Sequence, residues 1–206
     1  MTSSQRKFEP RGVTCQDGDV SKFVYVSGRH CLDFAGTLLW RRTLRTELLD
    51  TVDDLRIWAQ EAGLLHDMAP PTSTDVHQAV SVREAIYNAI ASAISGVARP
   101  ADAQIDLLNT LARGPLPTLT LTATGTTRSQ GTCANVANLL ARDAIDLIGS
   151  ADLAKVKECS NPDCTRLFVD HSRGFSRRWC GMAECGNRAK AADYRRRKKL
   201  RIATPL

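Results

Sequence analysis

Apolar residues recur every three or four positions over much of residues 20–150, and that period predicts a mostly helical N-terminal domain with a small β element. Val76, Val80, Arg83, Ile86, Tyr87, Ile90, Ile94 and Val97 mark the longest helix, opened by Ser73 or Thr74 after Pro70 and Pro71 and closed at Arg99 and Pro100. A short helix is predicted from Thr51, with Asp54 three residues on, through Leu55, Ile57 and Trp58 to a stop at Gly63. Ile105, Leu107, Leu108 and Leu111 give another before Gly114, and Val136, Leu139, Leu140, Ile145 and Leu147 a last one over residues 132–148. A helix is also expected over residues 30–49. Period-two alternation predicts two strands, residues 20–26 and 115–125, which should pair with each other.

The pattern changes character after residue 150. Residues 150–158 read as a join, with a flexible segment 1–19 at the other end, a domain at 20–150, a linker at 151–158 and a second module at 159–206. In that module Cys159, Cys164, Cys180 and Cys185 form two pairs of equal spacing, C-x4-C-x15-C-x4-C. Paired thiolates at such spacing suit a tetrahedral Zn²⁺, and four sulfurs leave no open position, so one structural zinc is expected and metal catalysis is not. His171 is then spare. Leu167, Phe168 and Val169 read as a strand, residues 172–174 as a turn, and residues 177–179 as a returning strand. Asn187 reads as the N-cap of a helix, and Phe168 and Trp179 as a miniature core. Knuckle, hairpin and helix in that order resemble a treble-clef zinc finger, so the fold class is α+β.

Charge sharpens the division. Residues 155–206 hold 14 of the 28 Lys and Arg but 5 of the 22 Asp and Glu, a net +9 that leaves −3 for the rest. A positive field confined to one end suits a polyanion. The run Arg195, Arg196, Arg197, Lys198 and Lys199, with Tyr194, surrounds the helix and suits phosphates. Readout of base edges falls to Asn187, Arg188 and Lys190, with Arg177 and Arg178 on the hairpin. Neutralising a doubly negative zinc tetrathiolate is an equal alternative for Arg177, Arg178 and Arg188 singly. One finger is a small footprint against the roughly 1,000–2,500 Å² of specific DNA interfaces, which predicts a homodimer reading two half-sites.

The segment ECSNPDCTRLFVDHSRGFSRRWCGMAECGNRAKAADYRRR resembles the CGNR-type zinc finger, named for the tetrapeptide at residues 185–188. In that family the finger follows an ABATE domain, and the pair is regarded as a bacterial stress-induced transcription regulator. The family stretch LDFxNTxxxR is similar to LDFAGTLLWR at residues 32–41, with Gly36 where asparagine is usual. The resemblance implies duplex DNA as the partner of the finger and small-ligand sensing by the larger domain. Arg29, Asp33, Arg41 and Arg83 are the candidates to hold a small anion or polar metabolite; an internal pair between Asp33 and an arginine is the favoured alternative.

Other classes fit less well. No G-x-S-x-G, phosphate loop, H-E-x-x-H or dinucleotide fingerprint occurs, so no enzyme is expected. The first residues, MTSSQRKFEP, do not read as a signal peptide, and no uncharged apolar run reaches about 18 residues; a reducing cytoplasm, with nucleoid association and no membrane partner, is expected. Cys15, Cys31 and Cys133 read as small buried hydrophobes. An RNA-binding or ribosome-associated zinc protein and a protein-interaction finger remain the alternatives.

Overall fold

A computed structural model of the chain describes residues 21–96 and 100–203. The segment 1–19 with Cys15, the strand residue Val20, and Val97 and Arg99 at the expected helix break lie outside the described residues.

Five helices build the body: α1 (His30–Ala35), α2 (Val52–Glu61), α3 (Ser73–Ser95), α4 (Asp102–Ala112) and α5 (Cys133–Gly149). Three of them start on one local device. Thr51, Thr72 and Thr132 each accept the backbone N–H three residues on, and Asp54, Asp75 and Asn135 accept the cap residue's own N–H in return. Each box satisfies donors that a helix start leaves orphaned. Thr72, not Ser73 or Thr74, caps α3, because the acceptor Asp75 lies three residues beyond it. The helix ends at Gly96, whose φ of 63° lets the chain turn back. Leu32 and Phe34 of α1 meet Trp58 of α2, Ile86 and Ile90 of α3, and Leu140 and Leu147 of α5 in one buried core. Phe34 and Trp58 pack with their rings tilted by 56° and their centres 4.7 Å apart. Each such buried side chain contributes about 1.5–3 kcal/mol.

The helix expected over residues 30–49 stops after six residues. The Thr37 hydroxyl folds back on the Phe34 carbonyl at 2.8 Å, and β1 (Leu38–Leu39) pairs antiparallel with β2 (Thr46–Glu47). Between them Trp40 and Arg45 both adopt φ of 48°, rare for non-glycine residues. Tertiary pairing explains the departure. Arg41 reaches Glu84 of α3 at 2.5 Å, while Glu47 takes both terminal nitrogens of buried Arg83, at 2.5 and 2.7 Å. Breaking such a buried pair costs about 3–5 kcal/mol, well beyond helix propensities of tenths of a kcal/mol per residue.

The predicted pairing of residues 20–26 with 115–125 is also replaced. β4 (Thr118–Leu121) turns at Gly125, φ 76°, onto β5 (Thr127–Gly131), with Thr118 opposite Gln130 and Leu121 opposite Thr127. β3 (Asp67–Met68) joins β5 in parallel, giving the order β3-β5-β4. Closing a five-residue loop is entropically cheaper than bringing together segments ninety residues apart. Residues 21–26 form no strand; Phe23 is buried, and the Tyr25 hydroxyl donates to the Trp58 carbonyl.

Beyond α5 a 3-10 turn (Ala151–Lys155) leads into β6 (Val156–Glu158), antiparallel to β7 (Leu167–Val169). Alternation along β7 divides it between two cores. Leu167 and Val169 face the body, and Phe168 between them faces the cysteines.

Candidate metal centre and nucleic-acid interface

The cysteine pairs sit at the ends of two tight turns. Cys159 donates its N–H to the Arg166 carbonyl and Cys164 to that of Asn161, closing the first. Cys185 and Gly186 both bond the Gly181 carbonyl, winding a one-turn π helix (Met182–Gly186) that ends the second. The four Sγ atoms are buried and lie within 4.8 Å of one another, with Cys164 and Cys180 at 3.8 Å. A tetrahedron with Zn–S bonds of about 2.3 Å has edges of about 3.8 Å. The donor set therefore fits one structural zinc. Asn161 Nδ2 lies 3.5 Å from Cys185 Sγ and the Cys180 N–H 3.4 Å from Cys159 Sγ, so donors outside the shell spread its negative charge.

Proton sharing among these sulfurs points the same way. Hydrogen bonds from Cys164 and Cys180 pull the Cys159 pKa down, while the bond to Cys159 pushes Cys164 up and Cys180 is pushed up by both neighbours. Thiols so close resist ionising together unless a divalent cation offsets the charge. Phe168 and half-buried Trp179 pack on the cluster, as the expected miniature core. His171 is not in the cluster and lies beside Gly28.

Residues 177–179 form no returning strand. Buried Asp170 instead accepts the N–H groups of Ser172 and Arg177, at 2.9 and 3.1 Å, and the Lys157 ammonium at 2.6 Å. Burial works against the Asp170 carboxylate, but these bonds outweigh it and hold its pKa well below the usual range. β7 then finds its ladder partner in β6, on the other side.

Arg177 occupies the centre of this loop. Its guanidinium donates to the carbonyls of Val26, Trp179 and Cys180 and stacks 4.2 Å from the centre of the Phe168 ring. The module is thereby tied to the body, as it is by Val169 N–H to the Ser27 carbonyl and by Arg42 in two bonds to Glu158, at 2.5 and 2.8 Å. Arg166, a buried residue absent from the sequence expectations, reaches the Gly36 carbonyl from the other face. Sequence carries no period or motif that marks Arg166 or Asp170: Arg166 answers to the main chain of Gly36, far along the chain, and Asp170 to Lys157 and the N–H groups of its own irregular loop.

The last helix, α6 (Asn187–Ala203), continues directly from the π turn. Asn187 is not an N-cap: its φ of −68° and ψ of −36° are helical, and Gly181 precedes the wound segment instead. Among the described side chains, Asn187, Arg188, Lys190, Tyr194, Arg195 and Arg197 are exposed. The backbone of Arg196, Lys198 and Lys199 is helical, while their side chains lie outside the description. Among the described residues α6 packs mainly against the π turn, and so projects from the metal centre; its sequence holds eight basic residues against Asp193. Arg178, also exposed, lies over the Trp179 ring at 5.4 Å. A groove of about 790 Å³ runs between Arg178, Arg188 and Ala192 on one side and Trp40, Thr43 and Leu44 on the other.

The four residues expected to hold a ligand are engaged with the body itself. Arg29 bonds Asp143 and Asp146 of α5, each at 2.7 Å. Arg41 adds to Glu84 a contact over the Tyr87 ring at 3.9 Å, and Arg83 bonds Thr37, Glu47 and Glu84. Asp33 has no ion pair among the described residues. It accepts the Ser27 N–H at 2.9 Å and so fixes the entry to α1; burial raises its pKa against that bond.

Family models match two parts of this chain. Residues 28–151 match ABATE, described as "Putative stress-induced transcription regulator", and residues 155–198 match the CGNR zinc finger. A search of curated proteins gives no match. The two matched segments meet in the 3-10 turn after α5. With more than half its length in the first match and its cysteine quartet in the second, the chain belongs to the ABATE family and carries a CGNR zinc finger behind that domain.

Proposed function

We propose that this protein is a transcription regulator of the cytoplasm and nucleoid that docks α6 on duplex DNA and acts as a homodimer. The observation that carries the reading is the mounting of α6: a cationic helix fixed at its first turn to a metal ligand, Cys185, with Asn187, Arg188, Lys190, Tyr194, Arg195 and Arg197 exposed. A helix of about 10–12 Å diameter matches the major groove, about 12 Å wide. The groove beside α6 would then receive a phosphate strand between Arg178 on one wall and Thr43 on the other. Arg177, its donors spent on main-chain carbonyls, positions the loop, while Arg188, Asn187 and Lys190 face the bases. Single-stranded RNA is less well served, because Phe168 is buried and Trp179 half-buried against the cysteines, and the exposed rings Phe175 and Tyr194 stand on separate elements, the loop after β7 and α6.

The reading includes a small-ligand response in the N-terminal domain. A cavity of about 420 Å³ between α3 and α5, walled by Phe34, Val82, Leu107 and Leu140, supports an apolar effector there in place of a charged one at Arg29, Asp33, Arg41 and Arg83.

Arginine replacements test the docking. Arg195→Ala with Arg197→Ala should weaken all duplexes about equally and lower the slope of log affinity against log salt by about 0.9 for each phosphate no longer neutralised. Arg188→Ala should cost about 1–3 kcal/mol at one base pair and relax preference there. Zinc-loaded protein with no duplex affinity at low salt would overturn the proposal; an Arg188 variant behaving like the Arg195 and Arg197 pair would remove base readout from it.

A further inference from the structure

The sheet of the body ends on an open edge. β4 pairs with β5 on one side, and among the described residues nothing pairs with its other side. Such edges are normally blunted by charge or by proline within the strand. β4 has neither, and residues 115–127 carry no charge at all. Leu119 and Leu121, two residues apart and so on one face, are 69% and 72% exposed. Across the ladder from Leu119, on that same face, Ser129 is buried and bonds the His66 ring at 2.8 Å. The two leucines therefore point to the side of the sheet that carries the body but hang beyond the body's rim.

The strand is complementary to itself. Antiparallel pairing of two copies about a two-fold axis through Thr120 sets Leu119 of one copy opposite Leu121 of the other, twice, and Thr120 opposite Thr120. Every side chain then meets its own kind, leucines on one face and threonine on the other, with the unpaired backbone groups of both edges satisfied. An isologous contact of this kind closes after two copies.

We infer that β4 is the contact through which two copies of this chain associate, joining two three-stranded sheets into one of six strands above a cluster of four leucines. The inference rests on the homodimer reading above and gives it a surface. A contact built on four-residue strands is smaller than the roughly 1,200–2,000 Å² of standard stable interfaces, so the dimer should dissociate on the order of micromolar. Charge argues against a polyanion or a basic partner here, since neither would gain from an uncharged edge.

Sedimentation velocity of the full zinc-loaded chain over concentrations bracketing that range is the test. Wild type should pass from monomer to dimer. Leu119→Asp with Leu121→Asp should weaken association at least about tenfold with zinc content and circular dichroism unchanged, because both side chains are exposed. Thr120→Cys should cross-link to its own counterpart on mild oxidation, the paired Cα atoms lying about 4.5–5.5 Å apart, whereas wild type under the same conditions should not. A wild type that stays monomeric overturns both the dimer and this contact. A dimer that survives the aspartates, or in which Thr120→Cys fails to cross-link, overturns the β4 contact and leaves the dimer standing.

Discussion

Two cores hold this molecule, and they are built from different chemistry. The body buries a continuous set of apolar side chains from α1, α2, α3 and α5, whereas the C-terminal module buries Phe168 and four cysteines with Trp179 against them. Apolar burial is enough for the first. The second is too small to stand on area alone, so metal binding must supply its folding free energy. β7 joins them, giving Leu167 and Val169 to the body and Phe168 to the module, so loss of the metal should not leave the body untouched.

Removing the metal should break the comparison most severely. Cys180→Ser, or chelation, should abolish zinc stoichiometry and unfold residues 159–203, forfeiting apparent binding energies of about 10–16 kcal/mol. Hydrogen exchange should then rise throughout α6 and the cysteine turns, rise modestly in β6, and stay slow in α3 and α5. Uniform loss of protection would contradict the division into two cores.

Next in size is the buried cluster that overrides the helix expected after Ala35. Arg83→Ala leaves Glu47 without its partner and should cost about 3–5 kcal/mol in urea unfolding of the body, with zinc content unchanged. Acid should erase part of that difference. Burial raises the Glu47 pKa, but the bonds from Arg83 and from the Leu49 and Leu48 amides outweigh it and leave the group below its ordinary 4.5. The folded state therefore favours the carboxylate, contributes stability above about pH 4.5, and loses it as pH falls. The gap between wild type and Arg83→Ala should narrow on acidification; a constant gap would remove the pair's ionic component. The smallest effect belongs to a cap. Thr132→Ala should cost about 1 kcal/mol and leave the metal module unmoved.

How much of this is legible in the sequence follows the range of each interaction. Thr51 with Asp54, the apolar spacing from Val136 to Leu147, and the stripe from Val76 to Ile94 are local signals, and each produces its helix. The cysteine quartet is equally legible because zinc demands four ligands of defined kind. Residues 30–49 read as helix yet depart from it because Arg41 and Glu47 answer to Glu84 and Arg83, side chains some forty positions away. The strand expected at residues 177–179 fails for a similar reason: Asp170 and Arg177 settle that loop through main-chain partners as distant as Val26. The groove beside α6 joins residues 40–44 to residues 178–192 and has no counterpart in any sequence period.

Central to the proposed function is a metal-held module that presents α6 to a duplex. Titration of the same protein, zinc-loaded and zinc-stripped, against one duplex at several salt concentrations addresses that most directly. Loaded protein should bind more tightly and discriminate between sequences, and stripped protein should retain only a weak, sequence-blind attraction. Equal affinity and equal discrimination in the two states would contradict it.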